Sequence, residues 1–299
     1  MKKVFELDFR GRKIIVEHGE LAKQASGAVL VRYGDTVVLS TTVVSKKANV
    51  LADFFPLMVL YQEKLYSVGK IPGGFIKREG RPTDSATLAA RMIDRPMRPL
   101  FPGDYRNDVT LNNLVMSVDP DCSPELTAML GSAIATAISD IPFNGPCATT
   151  QVGLVNGEFV FNPNAAQKAI SDLQLTVAST REKVIMIEAG ANEVPEDKMI
   201  EAIFAAHEVN QEVIKFIDTI VAECGKEKHE YVSCEMPEDL VAAMKELVPP
   251  AEMEEAVFTD VKQVREENIR KIKDRLEAAF AEEHEDWLPL IDEAVYKYQ

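Results

Sequence analysis

Val109–Ser139 reads VTLNNLVMSVDPDCSPELTAMLGSAIATAIS. Its first part, Val109–Val118, has the apolar bias of a buried strand. Ser123, Pro124 and Glu125 then supply an N-cap, a proline at the first helical position and an acid in the first turn. The helix they open is predicted to reach about Ser139. Ala128, Gly131, Ala133, Ala135 and Ala137 keep it slim, so it can lie close against a sheet. A buried strand that feeds such a helix implies a layered domain of sheet and helix.

Upstream, Lys13–Glu17, Ala28–Arg32, Thr36–Val44 and Leu57–Gln62 read as strands, with a hairpin at Tyr33-Gly34-Asp35. Downstream, Thr149–Val155 and Glu158–Phe161 flank Asn156-Gly157, a strong hairpin signal. Leu173–Ala178 and Lys183–Glu188 form a further hairpin. A long helix is predicted from Pro195 to Cys224, closed by Gly225. Its expected core stripe is Ile200, Ile203, Phe204, His207, Ile214 and Ile217. Hairpins with long helices make the fold class α+β rather than a regular parallel βαβ series. The polar stretch Lys226–Pro237 reads as a linker. Beyond it only helical patterns appear: Glu238–Leu247, a Pro249-Pro250 break, and Ala251 onward. The expected domains are therefore 1–225 (subregions 1–145 and 146–225), a linker at 226–237, and a helical domain at 238–299. Residues 226–299 carry 10 basic against 20 acidic side chains, as a solvated acidic helical bundle would. The pattern is still helical at Tyr298-Gln299, which suggests a piece of something longer.

The chain as a whole excludes several classes. No run approaches the roughly 18 apolar residues of a membrane-spanning helix. Charges interrupt the N-terminus MKKVFELDFRGRKI, so it has no signal core. Cys122, Cys147, Cys224 and Cys234 have no CxxC spacing and read as reduced structural thiols in a cytoplasmic protein. His18, His207, His229 and His284 form no metal-ligand pattern. No GxxxxGK[ST], GxGxxG, HExxH or GxSxG motif occurs. An isoelectric point near 4.8 restricts any nucleic-acid contact to a local patch.

Such a patch is visible in Ile71–Phe101, IPGGFIKREGRPTDSATLAARMIDRPMRPLF. It sets Lys77, Arg78, Arg81, Arg91, Arg95 and Arg98 against Glu79, Asp84 and Asp94, within a chain of formal net charge −15. Thr83 or Asp84 caps a helix predicted over Ser85–Asp94, with Leu88 and Met92 on its apolar stripe. Arg91, Arg95 and Arg98 share one face at helical spacing, although Pro96 is expected to end or kink the helix near Arg95. Gly73-Gly74 precedes Phe75-Ile76-Lys77-Arg78, a ring beside two cations in a loop. An aromatic ring with flanking cations can grip a single strand without sequence preference. From charge and spacing alone two readings stand: an anion site, or ion pairing within the fold.

Four stretches carry a resemblance: QASGAVLVRYGDTVVLSTTVV, DFFPLMVLYQEKLYSVGKIPGGFIKREGRP, ARMIDRPMRPLFP and IPFNGPCATTQVGL. On these the chain resembles the N-terminal part of the bacterial polynucleotide phosphorylase (polyribonucleotide nucleotidyltransferase) family. The likeness runs over roughly the first 225 residues and more weakly through the helical tail. It implies an RNase PH-like core half, with ribosomal protein S5 domain 2-like β/α layers, followed by a small all-α domain. It implies phosphate-dependent 3′→5′ degradation of RNA, with inorganic phosphate as co-substrate and Mg²⁺ as cofactor. The implied partners are single-stranded RNA and two further copies in a homotrimer; the implied place is cytoplasmic, with no membrane.

The resemblance also sorts the residues. In the family the phosphate turn is serine-rich, and two aspartates six residues apart serve metal and acid chemistry, both in a second core half. At the corresponding places this chain has Asp121-Cys122-Ser123-Pro124-Glu125, and Asp172 preceded six residues earlier by Ala166. This half is therefore expected to be non-catalytic, with magnesium ligands outside it. The family's Phe-Phe-Arg-Arg loop, which grips RNA at a constriction, corresponds to Phe75-Ile76-Lys77-Arg78. Ile76 lacks a stacking face and Lys77 lacks the guanidinium fork. Phe75, Lys77, Arg78, Arg81, Arg91, Arg95 and Arg98 are the implied RNA-binding residues. Six phosphate contacts imply a log–log salt slope near about −4. The alternative is a non-catalytic oligomerisation and protein-interaction scaffold without RNA contact of its own.

Overall fold

The computed structural model describes residues 2–49, 52 and 54–299. It divides into two compact units, Met1–Ala48 with Pro56–Tyr231, and Asn49–Phe55 with Val232–Gln299. In the first unit β1 (Lys3–Phe9), β2 (Arg12–His18), β3 (Gly27–Tyr33), β4 (Thr36–Ala48) and β5 (Leu57–Glu63) precede α1 (Asp84–Met97). Then come β6 (Asn107–Ser117), α2 (Pro124–Ile138), β7 (Ala148–Val155), β8 (Glu158–Phe161) and α3 (Ala165–Ala169). β9 (Leu173–Ser179), β10 (Val184–Ala191) and α4 (Glu196–Cys224) complete it.

The strands form a six-stranded sheet in the order β1-β2-β3-β4-β6-β5 and a four-stranded sheet in the order β10-β9-β7-β8. All pairings are antiparallel except β5 with β6. Parallel neighbours cannot be joined by a tight turn. Residues 64–106 therefore cross over between them, and this crossover carries α1 and the basic segment.

The α2 helix is buried from Leu126 to Ile138 on every side. It packs against β3 and β4, and shares a core with α4 through Ile134, Ile138, Val213 and Ile217. Each such Leu or Ile contributes about 1.5–3 kcal/mol on burial. The slim face predicted from its small residues meets the sheet at very short range. A Cβ on Gly27 would lie 1.9 Å from the Ala135 carbonyl oxygen, and one on Gly131 would lie 2.2 Å from Ser40 Oγ. Polar stitches seal that contact: Ser40 and Ser132 both donate to Asn113 Oδ1, at 2.6 and 2.9 Å.

Several sequence expectations need correction. β1 was not expected; its exposed charged residues hide a strand that is held by antiparallel pairing with β2. Of the expected α4 stripe, Ile214 and Ile217 are buried, Ile203 and His207 are half-buried, and Ile200 and Phe204 are exposed; Ala202, Ala206, Val209, Val213 and Ile220 complete the buried face. The correct helical face was shifted because small alanines, not the larger Ile200 and Phe204, fit against β9. Gly225 ends α4 in an extended rather than left-handed conformation. The first part of the expected linker 226–237 is bonded to the first unit: Lys226 and His229 donate backbone N–H groups to the Ile138 and Asp140 carbonyls. Lys228 Nζ donates to the carbonyls of Thr136, Ala137 and Ser139, at the end of α2, where helix carbonyls lack intrahelical donors. The first unit thus runs to Tyr231, six residues past Gly225.

The second unit holds α5 (Glu238–Leu247), α6 (Pro250–Val257), α7 (Lys262–Phe280) and α8 (Ile291–Tyr298). Leu240, Met244, Ile272, Leu276, Phe280 and Ile291 are among its core residues. The helical pattern expected from Ala251 onward is thus broken into three α-helices with a 3-10 turn at Glu285–Leu290, where Pro289 interrupts regular bonding. Among the described residues no helix is long and apolar enough to cross a membrane.

Candidate nucleic-acid interface

Thr83 starts α1 as a true N-cap: its Oγ1 accepts the N–H of Ala86 at 3.1 Å. The helix buries Ala86, Ala89, Ile93, Pro96 and Met97. Leu88, expected on the apolar stripe, is exposed instead, because the small Ala86 and Ala89 face β5. Pro96 is the next-to-last residue of the helix, which ends at Met97, two residues past Arg95, and passes into a 3-10 turn at Arg98–Leu100. Proline forfeits one backbone bond here, and burial of Ile93, Pro96 and Met97 outweighs that loss.

The expected face Arg91–Arg95–Arg98 separates into three environments. Arg91 is exposed and has no ion-pair partner among the described residues. Arg95 Nη1 lies 3.0 Å from Glu188 Oε2 on β10, with both side chains more than half exposed. Arg98 grips Asp94 with two nitrogens, Nη2 to Oδ1 at 2.7 Å and Nε to Oδ2 at 3.0 Å, and also donates to the Leu57 carbonyl. Its fork is therefore committed to tying α1 to β5.

The loop ahead of α1 differs. Phe75 is fully exposed and Ile76 nearly so. Lys77, Arg78 and Arg81 are exposed and lack ion-pair partners among the described residues. Gly74 and Lys77 both take left-handed backbone angles, φ 76° and 54°, which turn the loop tip outward. Arg78 and Arg81 line a cavity of ≈620 Å³ with Tyr61, Leu65, Pro72 and Thr83. Glu79 is the acid in this loop, and it is engaged: its carboxylate accepts the Leu65 N–H at 2.7 Å and pairs with Lys64 at 3.1 Å. Those bonds, the Leu65 N–H foremost, hold its carboxyl below the usual carboxylate range. Nothing in the sequence signalled this closure, since its partners stand 14 residues apart.

A second groove, ≈450 Å³, lies between α1, the start of α2 and β10; Leu88, Met92, Ser123, Glu125, Lys168 and Glu188 line it. Ser123 Oγ donates to Glu125 Oε2 at 2.5 Å and accepts the Leu126 N–H. Asp121 Oδ1 accepts the Ala165 N–H. Two carboxylates, Glu125 and Glu188, against one cation, Lys168, with a serine already engaged, make this a poor cradle for phosphate. Asp172 lines an adjoining cavity of ≈320 Å³ with Gln151 and Lys168. Its own backbone serves a turn, donating to Leu154 and accepting from Asn192. No group of three His, Cys, Asp or Glu among the described residues could hold a metal ion. A lone exposed Asp172 does not fit a magnesium site.

Comparison with known proteins follows the same lines. The model of the 3′ exoribonuclease family, domain 1, matches residues 10–142, and that of domain 2 matches residues 145–209. The chain is 73% identical over 299 residues to a polyribonucleotide nucleotidyltransferase of Lachnoclostridium phytofermentans, covering 100% of this chain and 43% of that protein. It is 52% identical over 284 residues to the same-named protein of Staphylococcus saprophyticus, covering 95% and 41%. It is 52% identical over 298 residues to that of Bacillus anthracis, covering 99% and 42%. The chain thus spans less than half the length of these curated relatives. Among solved structures, rice (Oryza sativa) Rrp46 superposes with a TM-score of 0.56 at 12% identity, over 75% of this chain and 95% of that one. That likeness concerns the fold alone.

Proposed function

We infer that this chain, which belongs to the 3′ exoribonuclease (RNase PH) family, is the N-terminal portion of a phosphate-dependent 3′→5′ exoribonuclease of the polyribonucleotide nucleotidyltransferase type. Within it this half guides single-stranded RNA, and the chemistry lies elsewhere. The observation that carries the reading is the crossover 64–106. It presents an exposed ring at Phe75 and four exposed cations, Lys77, Arg78, Arg81 and Arg91, without internal partners among the described residues. Cations without a partner are free to take phosphates, and the ring is free to stack on a base. Arg95 can join them by exchanging an exposed carboxylate for a phosphate, since exposed pairs are worth little. Arg98 acts instead as a tie within the fold.

Phosphorolysis builds charge on phosphorus oxygens and needs convergent donors or cations. The groove at Ser123 offers carboxylates, which supports a guiding rather than a reacting role. Inorganic phosphate, Mg²⁺ and a cytoplasmic location belong to the proposed parent protein, a homotrimer in which this half supplies ring scaffold as well as RNA guidance. The experiment is direct. The 299-residue chain is incubated with oligo(A), phosphate and magnesium, and nucleoside diphosphate release is followed beside RNA binding by fluorescence anisotropy. Binding without release is expected. Robust diphosphate release, or no binding at low salt, would refute the reading. In the latter case the scaffold alternative stands.

A further inference from the structure

Between Val68 and Asp84 the crossover has no regular secondary structure, yet its two ends are joined. Leu65 opens a 3-10 turn, Leu65–Val68, and its N–H is one of the orphan donors such a turn leaves. Lys64, in the capping position, makes no side-chain cap. Glu79 makes it instead, from the far end of the loop, with Oε1 on the Leu65 N–H at 2.7 Å and Oε2 3.1 Å from Lys64 Nζ. The Glu79 side chain is only 25% exposed, whereas its neighbours Lys77, Arg78 and Arg81 point to solvent. Near the base, Lys70 donates its N–H to the Leu65 carbonyl and Gly69 donates to Tyr66, so the first turn is itself tied down. What remains between these ties is the tip that carries Phe75, Lys77 and Arg78.

An acid amid cations that face a polyanion is costly for binding, so this one needs another reason for its place. We propose that Glu79 is a positioning residue for the RNA grip: it clasps the far side of the loop to Lys64-Leu65 and thereby presents Phe75, Lys77 and Arg78 as one preformed surface. The inference rests on the RNA-guiding reading above and adds to it the device that shapes the grip. A preformed surface loses less conformational freedom when a ligand orders it.

Charge and clasp predict opposite signs, which makes the test decisive. Glu79→Ala and Glu79→Gln remove the same negative charge, but Gln keeps an oxygen that can accept the Leu65 N–H. Oligo(A) binding is measured by anisotropy on the 299-residue chain, alongside amide exchange across residues 65–81. The clasp predicts that Ala weakens binding by roughly twofold to tenfold, the cost of ordering a loop that is no longer held. It predicts faster exchange at Leu65 and through the tip, with Gln restoring most of both. If Ala and Gln bind alike and tighter than wild type, Glu79 acts as a charge alone and the proposal is overturned. If wild type binds but exchange across 65–81 is the same in all three proteins, it is likewise overturned. Absence of wild-type binding removes the RNA-guiding reading and this proposal with it.

Discussion

Salt dependence of RNA binding can be worked out from the division of the basic segment. Lys77, Arg78, Arg81 and Arg91 have no ion-pair partner among the described residues, Arg95 is paired in the open with Glu188, and Arg98 is locked on Asp94 and Leu57. Each phosphate neutralised on a single strand adds about −0.7 to the slope of log K against log salt. Four contacts give about −3, and affinity falls roughly 50-fold between about 50 and 200 mM salt. Six contacts, the number suggested by composition, would give about −4 and a loss of roughly 300-fold. Anisotropy titrations of labelled oligo(A) over that range separate the two. Arg91→Ala and Arg81→Ala should each make the slope shallower by about 0.7. Phe75→Ala should weaken binding by about 1–3 kcal/mol with the slope unchanged, because stacking releases no counterions. Arg98→Ala should leave the slope alone and lower stability by about 1 kcal/mol, since the pair is partly exposed. If Arg98→Ala flattens the slope while Arg91→Ala does not, the assignment of free and committed cations is wrong.

Three further outcomes follow from the packing. Gly27→Ala should cost about 3 kcal/mol or more, the upper end of overpacking, because its Cβ meets the Ala135 backbone oxygen at 1.9 Å. Gly103→Ala, with open space around it, is the control, and equal melting temperatures for the two would contradict the close approach of β3 to α2. Lys228→Met should expose residues 226–231 to limited proteolysis and destabilise the first unit by about 1–3 kcal/mol, because the Ala137 and Ser139 carbonyls at the end of α2 lose the ammonium donor; unchanged cleavage would refute this tie. Asp119 accepts N–H groups from Asp121 and Asp35, and these, Asp121 first, hold its carboxyl below the usual range. Its stabilising effect is therefore complete above its unfolded value of about 4 and is lost as pH falls through the lower folded value. Asp119→Asn should flatten the acid side of the melting-temperature profile, and an unaltered acid limb would count against this.

The fold was legible where backbone chemistry is local. Ser123-Pro124-Glu125 opens α2 as read, and Asn156-Gly157 turns β7 into β8 with both residues at positive φ. Errors arose where the deciding partner is remote. The size-based stripe of α4 holds at Ile214 and Ile217 but not at Ile200 and Phe204, where the small Ala202 and Ala206 meet the β9 side of the core instead. Residues 226–231 look like a linker by composition, and only the open carbonyls of α2 reveal why they stay on the core. β1 has alternating charged residues and no buried run, so its strand depends on pairing with β2.

The candidate site shows the same limit in its charges. Counting gives six cations and three acids, but function depends on which acids are already engaged. Asp94 and Arg98 stand four apart on one helix, so that pairing was open to a spacing argument. Glu188 and Leu65, the partners of Arg95 and Glu79, are distant in sequence and become visible only once β10 and the 3-10 turn are in place. Topology supplies the underlying reason for the island's location. Because β5 runs parallel to β6, the chain must leave the sheet and return by a long connection. Such a connection packs one face of α1 on the core and leaves its loop and outer face at the surface. Within an acidic chain, it is the segment where cations can remain unpaired without loss of stability, and Lys77, Arg78, Arg81 and Arg91 all lie there.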